Sequence, residues 1–73
     1  MKRYLFIVQG GTEPYTLGPY NSDEERLAAA QDQCKNHLQR AYDSIFYLDT
    51  DSDGVPNAGS FTDEELYGED ARL

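Results

Sequence analysis

The apolar run at residues 4–8 (YLFIV) constrains the fold more than any other segment of the chain. Aromatic and β-branched residues dominate it and a Gly-Gly turn signal follows it, so we predict a strand over residues 2–9. Successive side chains of a strand point to opposite faces. Tyr4, Phe6 and Val8 would therefore share one face of a sheet, and Leu5 and Ile7 the other. Both faces of this strand are apolar.

A second strand is predicted at residues 15–17, short and at the edge of the sheet because two prolines flank it. If Gly10-Gly11 is a two-residue hairpin loop, Phe6 lies opposite Tyr15. This register would place Tyr15 on the same face as Phe6.

A helix is the next predicted element. Ser22-Asp23-Glu24-Glu25 fits a capping box, in which Ser22 accepts from the amide of Glu25 and the Glu25 side chain reaches back. The helix is predicted to run to about Arg40. Its apolar stripe consists of Leu27, Ala30, Cys34, Leu38 and Ala41.

Two further strands complete the predicted sheet, at residues 44–49 and 58–62. Asp53-Gly54 is a strong hairpin signal, and a two-residue loop there sets Phe46 opposite Phe61. Thr62-x-x-Glu65 repeats the capping-box pattern. We therefore expect one short helical turn within an acidic carboxy-terminal tail over residues 63–73.

The predicted fold is α+β: a small antiparallel sheet in ββαββ order with one amphipathic helix packed on one face, forming a single domain over residues 1–73. One helix covers only one face of such a sheet. If the other face were exposed to solvent, the residues of each strand would alternate between apolar and polar. The doubly apolar first strand predicts that the second face meets the carboxy-terminal segment, a second copy of the chain or a partner protein.

Composition and charge narrow the classes of partner. The 73 residues contain 14 acidic and 6 basic groups, a net charge of -8, and nine of the acidic residues lie between Asp43 and Asp70, where there is no Lys or Arg. Such a charge disfavours direct binding to nucleic acid or to anionic membranes. The single cysteine excludes an intrachain disulfide. With an apolar run shorter than a signal-peptide core, a cytoplasmic location is expected.

The acidic run over residues 49–54 (DTDSDG) is a candidate cation site. Carboxylates at alternate positions before a glycine bend can converge on a hard cation such as calcium. The run resembles the start of the calcium loops of EF-hands, dockerins and thrombospondin type 3 repeats. By that resemblance the ligands are Asp49, Asp51, Asp53, Val55 and Asn57.

The run departs from those families in three ways. Ser60 occupies the twelfth loop position, where an EF-hand has a bidentate glutamate, and the preceding segment is a strand pattern. The cysteines of thrombospondin repeats are missing. The alternative is a hairpin tip rich in the residues that suit turns and solvent.

Catalysis is not expected. Cys34 and His37 lie three residues apart, but Cys34 belongs to the apolar stripe and no oxyanion site accompanies the pair. We interpret them as a buried thiol and a surface imidazole. The six tyrosines favour an interaction surface instead, because a tyrosine ring tolerates partial wetting. The interface candidates are Tyr4, Phe6, Tyr15 and Tyr47.

A further resemblance covers about half of the chain. Gly18, Pro19, Tyr20, Ser22, Glu25 and Arg26, together with residues 45–54, resemble short uncharacterised bacterial and phage proteins of ββαββ type. In those proteins a Gly-Pro-aromatic step leads from a strand into a capped helix. The resemblance implies the fold and no activity.

These observations predict a non-enzymatic protein-interaction module that binds itself, as a homodimer, or another protein. One alternative is a calcium-binding protein that uses the 49–57 loop. Another is an acidic mimic of nucleic acid that inhibits a DNA- or RNA-binding protein, since the acidic half from Asp43 to Asp70 contains no Lys or Arg.

Overall fold

The structure is a computed structural model that describes residues 1–39, 42–51 and 53–68. Within these ranges the chain forms four strands and two helices. They are β1 (Lys2–Val8), β2 (Tyr15–Tyr20), α1 (Asp23–Asn36), β3 (Ser44–Thr50), β4 (Pro56–Ser60) and α2 (Asp63–Tyr67). The predicted α+β fold is confirmed.

The sheet is antiparallel throughout, in the order β2-β1-β3-β4. The apolar β1 therefore lies inside the sheet, between β2 and β3. Leu5 and Ile7 are fully buried, and they form the core with Ala30 and Cys34 of α1 and with Ile45 of β3. The alternation of β1 thus directs two of its five apolar side chains under the helix.

The start of α1 follows the predicted cap with one difference. Ser22 Oγ accepts a hydrogen bond from the Glu25 amide at 3.1 Å. The Glu25 carboxylate reaches back to the amide of Asn21, at 2.7 Å, and not to that of Ser22 as a capping box would require. Both bonds satisfy backbone donors beside the first turn of the helix.

The helix ends earlier than predicted, at Asn36. The amides of His37 and Leu38 both donate to the carbonyl of Gln33, at 2.9 Å, so the regular pattern stops there. The Asp43 carboxylate then accepts from the amides of Gln39 (2.7 Å) and Gly10 (3.1 Å), which ties the turn to the end of β1. Of the predicted stripe, Leu27 is half-buried and Leu38 packs on the core after the helix. Arg40 and Ala41 lie outside the described residues.

The predicted register between β1 and β2 is wrong by one residue. Tyr15 pairs with Ile7, and Phe6 lies opposite Thr16. The connection spans residues 9–14, because the turn closes between the Thr12 amide and the Gln9 carbonyl and the strand resumes only at Tyr15. A slip of one residue moves every side chain to the other face. Tyr15 therefore packs on the core, on the side of α1.

The second strand is at the edge, as predicted, but it is longer than residues 15–17. It continues through Gly18 and Pro19 to Tyr20. Its register with β1 shifts beside Gly18, whose φ is +122° and where a Cβ would lie 2.9 Å from the carbonyl oxygen of Arg3. Glycine allows this irregularity, and the strand therefore survives its internal proline.

The register between β3 and β4 also differs by one residue from the prediction. Phe46 pairs with Ser60 and Tyr47 with Gly59, so the loop spans residues 51–55 and β4 ends before Phe61. The Tyr47 ring lies over Gly59 and meets Phe61 edge-on, with 5.7 Å between the ring centroids. Phe61 thus packs on the helix side and not against Phe46.

Residues 61–68 lie on the same side of the sheet as α1. The Thr62 capping box is present as predicted, with Thr62 Oγ1 accepting from the Glu65 amide and the Glu65 carboxylate accepting from the Thr62 amide. Leu66 and Tyr67 of α2 pack on the core cluster. The last part of the predicted tail, residues 69–73, lies outside the described residues.

Candidate functional site

The sheet face opposite the helices is apolar, and we call it the open face. Tyr4 pairs with Leu48 and Phe6 with Phe46 across β1 and β3, and Val8 extends the patch. The rings of Phe6 and Phe46 lie 6.3 Å apart. None of these five side chains packs on the core cluster; Val8 is 36% exposed and the other four are half-buried.

The open face carries little charge although the chain is strongly acidic. The cross-strand pairs place Lys2, Ser44 and Thr50 beside the apolar residues, and the flanking strands add Thr16, Ala58 and Ser60. Among the described strand residues that point to this face, Lys2 is the one charged side chain. The carboxylates of the described residues lie in the loops, on the helices and on the helix side of the sheet.

The structure separates the four predicted interface residues into two pairs. Tyr4 and Phe6 lie on the open face, whereas Tyr15 and Tyr47 lie on the helix side. Phe46 and Leu48 join the open face and were not among the predicted residues. Their signal was present in the sequence, because β3 alternates in phase with β1: Ile45 and Tyr47 on one side, Phe46 and Leu48 on the other.

A group of two arginines and two aspartates, Arg3, Asp23, Arg26 and Asp49, joins the start of α1 to the sheet. Asp23 Oδ1 accepts from Arg3 Nε at 3.0 Å and from Arg26 Nη2 at 3.1 Å. Arg26 Nη1 donates to Asp49 Oδ1. We call these residues the arginine–aspartate cluster. Its two positive and two negative charges balance.

Arg26 is the most buried member of the arginine–aspartate cluster, with 6% of its surface exposed. Its guanidinium lies 5.3 Å from the centroid of the Tyr47 ring, and its buried Nε has no hydrogen-bond partner. The predicted stripe omitted this residue. The sequence did contain a signal for its burial: Arg26 lies four residues before Ala30 and therefore on the same side of the helix. An arginine on a buried face needs a carboxylate partner, and here that partner is Asp49.

The acidic loop is organised by hydrogen bonds within the turn. Asp51 Oδ1 accepts from the amides of Asp53 and Val55, at 3.0 and 3.2 Å, and the Asp51 carbonyl accepts from Gly54. Asp49 belongs to the arginine–aspartate cluster, and Asn57 pairs with it across the strands. Asp53, Val55 and Asn57 are exposed. Ser52 lies outside the described residues.

We expect millimolar calcium to leave the melting temperature of the protein unchanged. One carboxylate oxygen of Asp49 already accepts from Arg26, and one of Asp51 accepts from two amides, which makes both carboxylates weaker ligands for a cation. Thermal melts and calorimetric titration with calcium test this. Asp51→Asn is the matched variant, because an asparagine oxygen still accepts both amides. A saturable heat that disappears in this variant would establish the calcium-binding alternative.

The thiol of Cys34 lies in the core between α1 and the sheet and forms a hydrogen bond with Tyr67 of α2. Burial raises its pKa, and a hydrogen bond with Tyr67 offsets part of that rise. The imidazole of His37 is exposed at the carboxyl end of α1. A raised pKa keeps the thiol protonated at neutral pH, the opposite of what a cysteine nucleophile requires.

Comparison with protein-family models, curated proteins and solved structures finds no match to this chain. The resemblances to calcium-loop families and to short bacterial and phage proteins therefore stay predictions. No helix among the described residues is long and apolar enough to cross a membrane. In those residues there is likewise no group of three or more His, Cys, Asp or Glu side chains placed to hold a metal ion.

Proposed function

We propose that this chain is a non-enzymatic protein-interaction module that self-associates through the open face of its sheet. The observation that carries the proposal is the apolar patch of Tyr4, Phe6, Val8, Phe46 and Leu48 on the side away from both helices. Apolar surface of this kind, collected on one side of a domain, marks interaction sites. The buried, protonated thiol of Cys34 supports a role outside catalysis.

A second copy is the favoured occupant because of where the charges lie. Two chains of net charge -8 repel each other overall. Their open faces have no carboxylate on the described strand positions, so the patches can meet without opposing acids. Two antiparallel sheets stack about 10 Å apart with interdigitating side chains. The apolar rows of β1 and β3 suit this packing.

The area of the face predicts how tight such a dimer is. A sheet with strands about 4.8 Å apart and about 3.3 Å per residue offers a footprint of roughly 450 Å² per copy. Two copies would then bury on the order of 900 Å², below the ~1,200–2,000 Å² of stable complexes. We therefore expect a reversible dimer with a Kd in the micromolar range.

The prediction is tested by sedimentation velocity from micromolar to millimolar protein. We expect a monomer–dimer equilibrium that Phe46→Thr weakens by at least about tenfold, because a central aromatic anchor is lost. Tyr42→Thr is the matched control, since Tyr42 is an aromatic residue outside the strands with 80% of its surface exposed. Circular dichroism melts verify that both variants fold.

Salt provides a second readout of the same equilibrium. Screening shortens the reach of charge repulsion from about 10 Å at 0.1 M to about 3 Å at 1 M salt. Association of two acidic chains through apolar faces should therefore tighten as salt rises. A protein that stays monomeric at millimolar concentration, or a Phe46→Thr variant that dimerises like the parent, would remove the proposal.

A further inference from the structure

The two outer edges of the sheet differ in their ability to accept another strand. An edge strand presents unpaired backbone donors and acceptors to which a further chain can add. On β2 this row is interrupted by the register shift at Gly18 and by Pro19, which has no amide hydrogen. Bulges and prolines of this kind hinder the addition of another strand, so the β2 edge is a poor acceptor.

The edge of β4 has none of these obstacles after its first residue. Pro56 begins the strand, and residues 57–60 follow as Asn-Ala-Gly-Ser, without proline or charge. Four of the five residues are exposed, and Gly59 is half-buried under Tyr47. Small neutral side chains leave the backbone of this edge accessible.

The surroundings of β4 determine which kind of strand would add to it. The β3–β4 loop carries Asp51 and Asp53, and the helix after β4 begins with three acidic residues. Among the described basic residues, Lys2 and Arg3 lie on β1, with β3 between them and β4, and Arg26 is buried on the helix side and paired with Asp49. An extended segment along this edge therefore runs between two acidic ends.

We propose that the outer edge of β4 binds an extended, lysine- or arginine-bearing segment of a partner protein by strand addition. Backbone hydrogen bonds supply the contact, and charge complementarity selects a basic segment. Pairing of β4 with β4 of a second copy is disfavoured, because it would bring like acidic ends together. The proposal concerns a different surface from the open face and does not depend on self-association there.

The test uses synthetic ten-residue peptides in which lysine alternates with valine and threonine. Binding is followed by fluorescence anisotropy and by backbone amide shifts of the 73-residue chain. We expect saturable binding with shifts concentrated on residues 56–60 and little change on β2. A glutamate version of the peptide should not bind. Affinity should fall as salt rises, the reverse of the open-face dimer.

Two sets of controls separate strand addition from general charge attraction. A peptide N-methylated on the amides of one edge can still pair through its other edge, whereas methylation of both edges should abolish binding. Asp53→Asn should weaken binding by about two- to fivefold at low salt. Asp32→Asn, an equal charge change on an exposed site of α1, should leave the affinity unchanged.

The outcomes that overturn the proposal are distinct from failure of the dimer. Absence of binding at millimolar peptide, equal binding of the doubly methylated peptide, or shifts centred on the helix starts would each reject it. So would shifts that show β4 pairing with a second copy of itself. Phe6→Thr, on the open face but on β1 with β3 between it and β4, should leave peptide binding within about twofold of the parent, since sites that share no partner act independently.

Discussion

Replacement of Arg26 by alanine is expected to lower the free energy of unfolding by roughly 3–5 kcal/mol, the usual effect of removing one partner of a buried ion pair. Arg26 is 6% exposed, and Asp49, its partner on β3, has a side chain only 20% exposed. The substitution would leave the Asp49 carboxylate half-enclosed without its cation. It would also remove the guanidinium from the Tyr47 ring.

The loss is large on the scale of this domain. A chain of 73 residues has an expected stability of about 4–11 kcal/mol. Urea denaturation monitored by circular dichroism measures the change. Arg3→Ala is the matched control, because Arg3 donates to the same Asp23 oxygen but Asp23 is 73% exposed, and an ion pair with an exposed partner contributes about 0–1 kcal/mol.

A double-mutant cycle separates charge from packing. Arg26→Met keeps an unbranched aliphatic side chain beside the Tyr47 ring, and Asp49→Asn removes the charge that would be left alone. We expect the double variant to be more stable than the sum of the single losses by about 1–3 kcal/mol, since directly contacting residues couple on this scale. An Arg26→Ala variant within about 1 kcal/mol of the parent would mean that the buried pair contributes little.

The arginine–aspartate cluster includes the first aspartate of the predicted cation site. From the sequence alone, Asp49, Asp51 and Asp53 form one alternating series. In the structure Asp49 turns toward α1 and pairs with Arg26, while Asp51 caps its own turn. The pattern of acids was visible, but the partner of the first one lies 23 residues earlier in the chain. Only the fold brings the two together.

The sequence predicted elements better than registers. The alternation at residues 4–8 placed Leu5 and Ile7 together on one face without showing which face the helix covers, and the Thr62 capping box identified the start of α2. Both hairpins were assigned loops that are too short, because the glycine signal locates a turn without fixing its length. Each error moved one aromatic residue, Tyr15 or Phe61, to the wrong face.

The register of β3 and β4 depends on Gly59, and its substitution provides the sharpest test of that part of the fold. Glycine inside a strand normally weakens it by roughly 0.5–1 kcal/mol relative to alanine, so Gly→Ala is usually favourable there. Here a Cβ would lie 2.7 Å from Cε2 of Tyr47 and closer still to its Cζ and Oη. We expect Gly59→Ala to destabilise the protein by roughly 1–3 kcal/mol, as overpacking does.

The sign of this effect follows from how the Tyr47 ring is held. Arg26 lies over one part of the ring, 5.3 Å from its centroid, and Phe61 packs edge-on at 5.7 Å. The ring therefore cannot swing away without disturbing the arginine–aspartate cluster or the start of α2. Gly10→Ala is the matched control, because nothing lies within 4 Å of a Cβ there and its φ is not positive. In a Tyr47→Leu background the penalty of Gly59→Ala should largely disappear. A stabilising effect in the parent protein would instead mean that Tyr47 does not lie over β4, and that the predicted pairing of Phe46 with Phe61 has to be reconsidered.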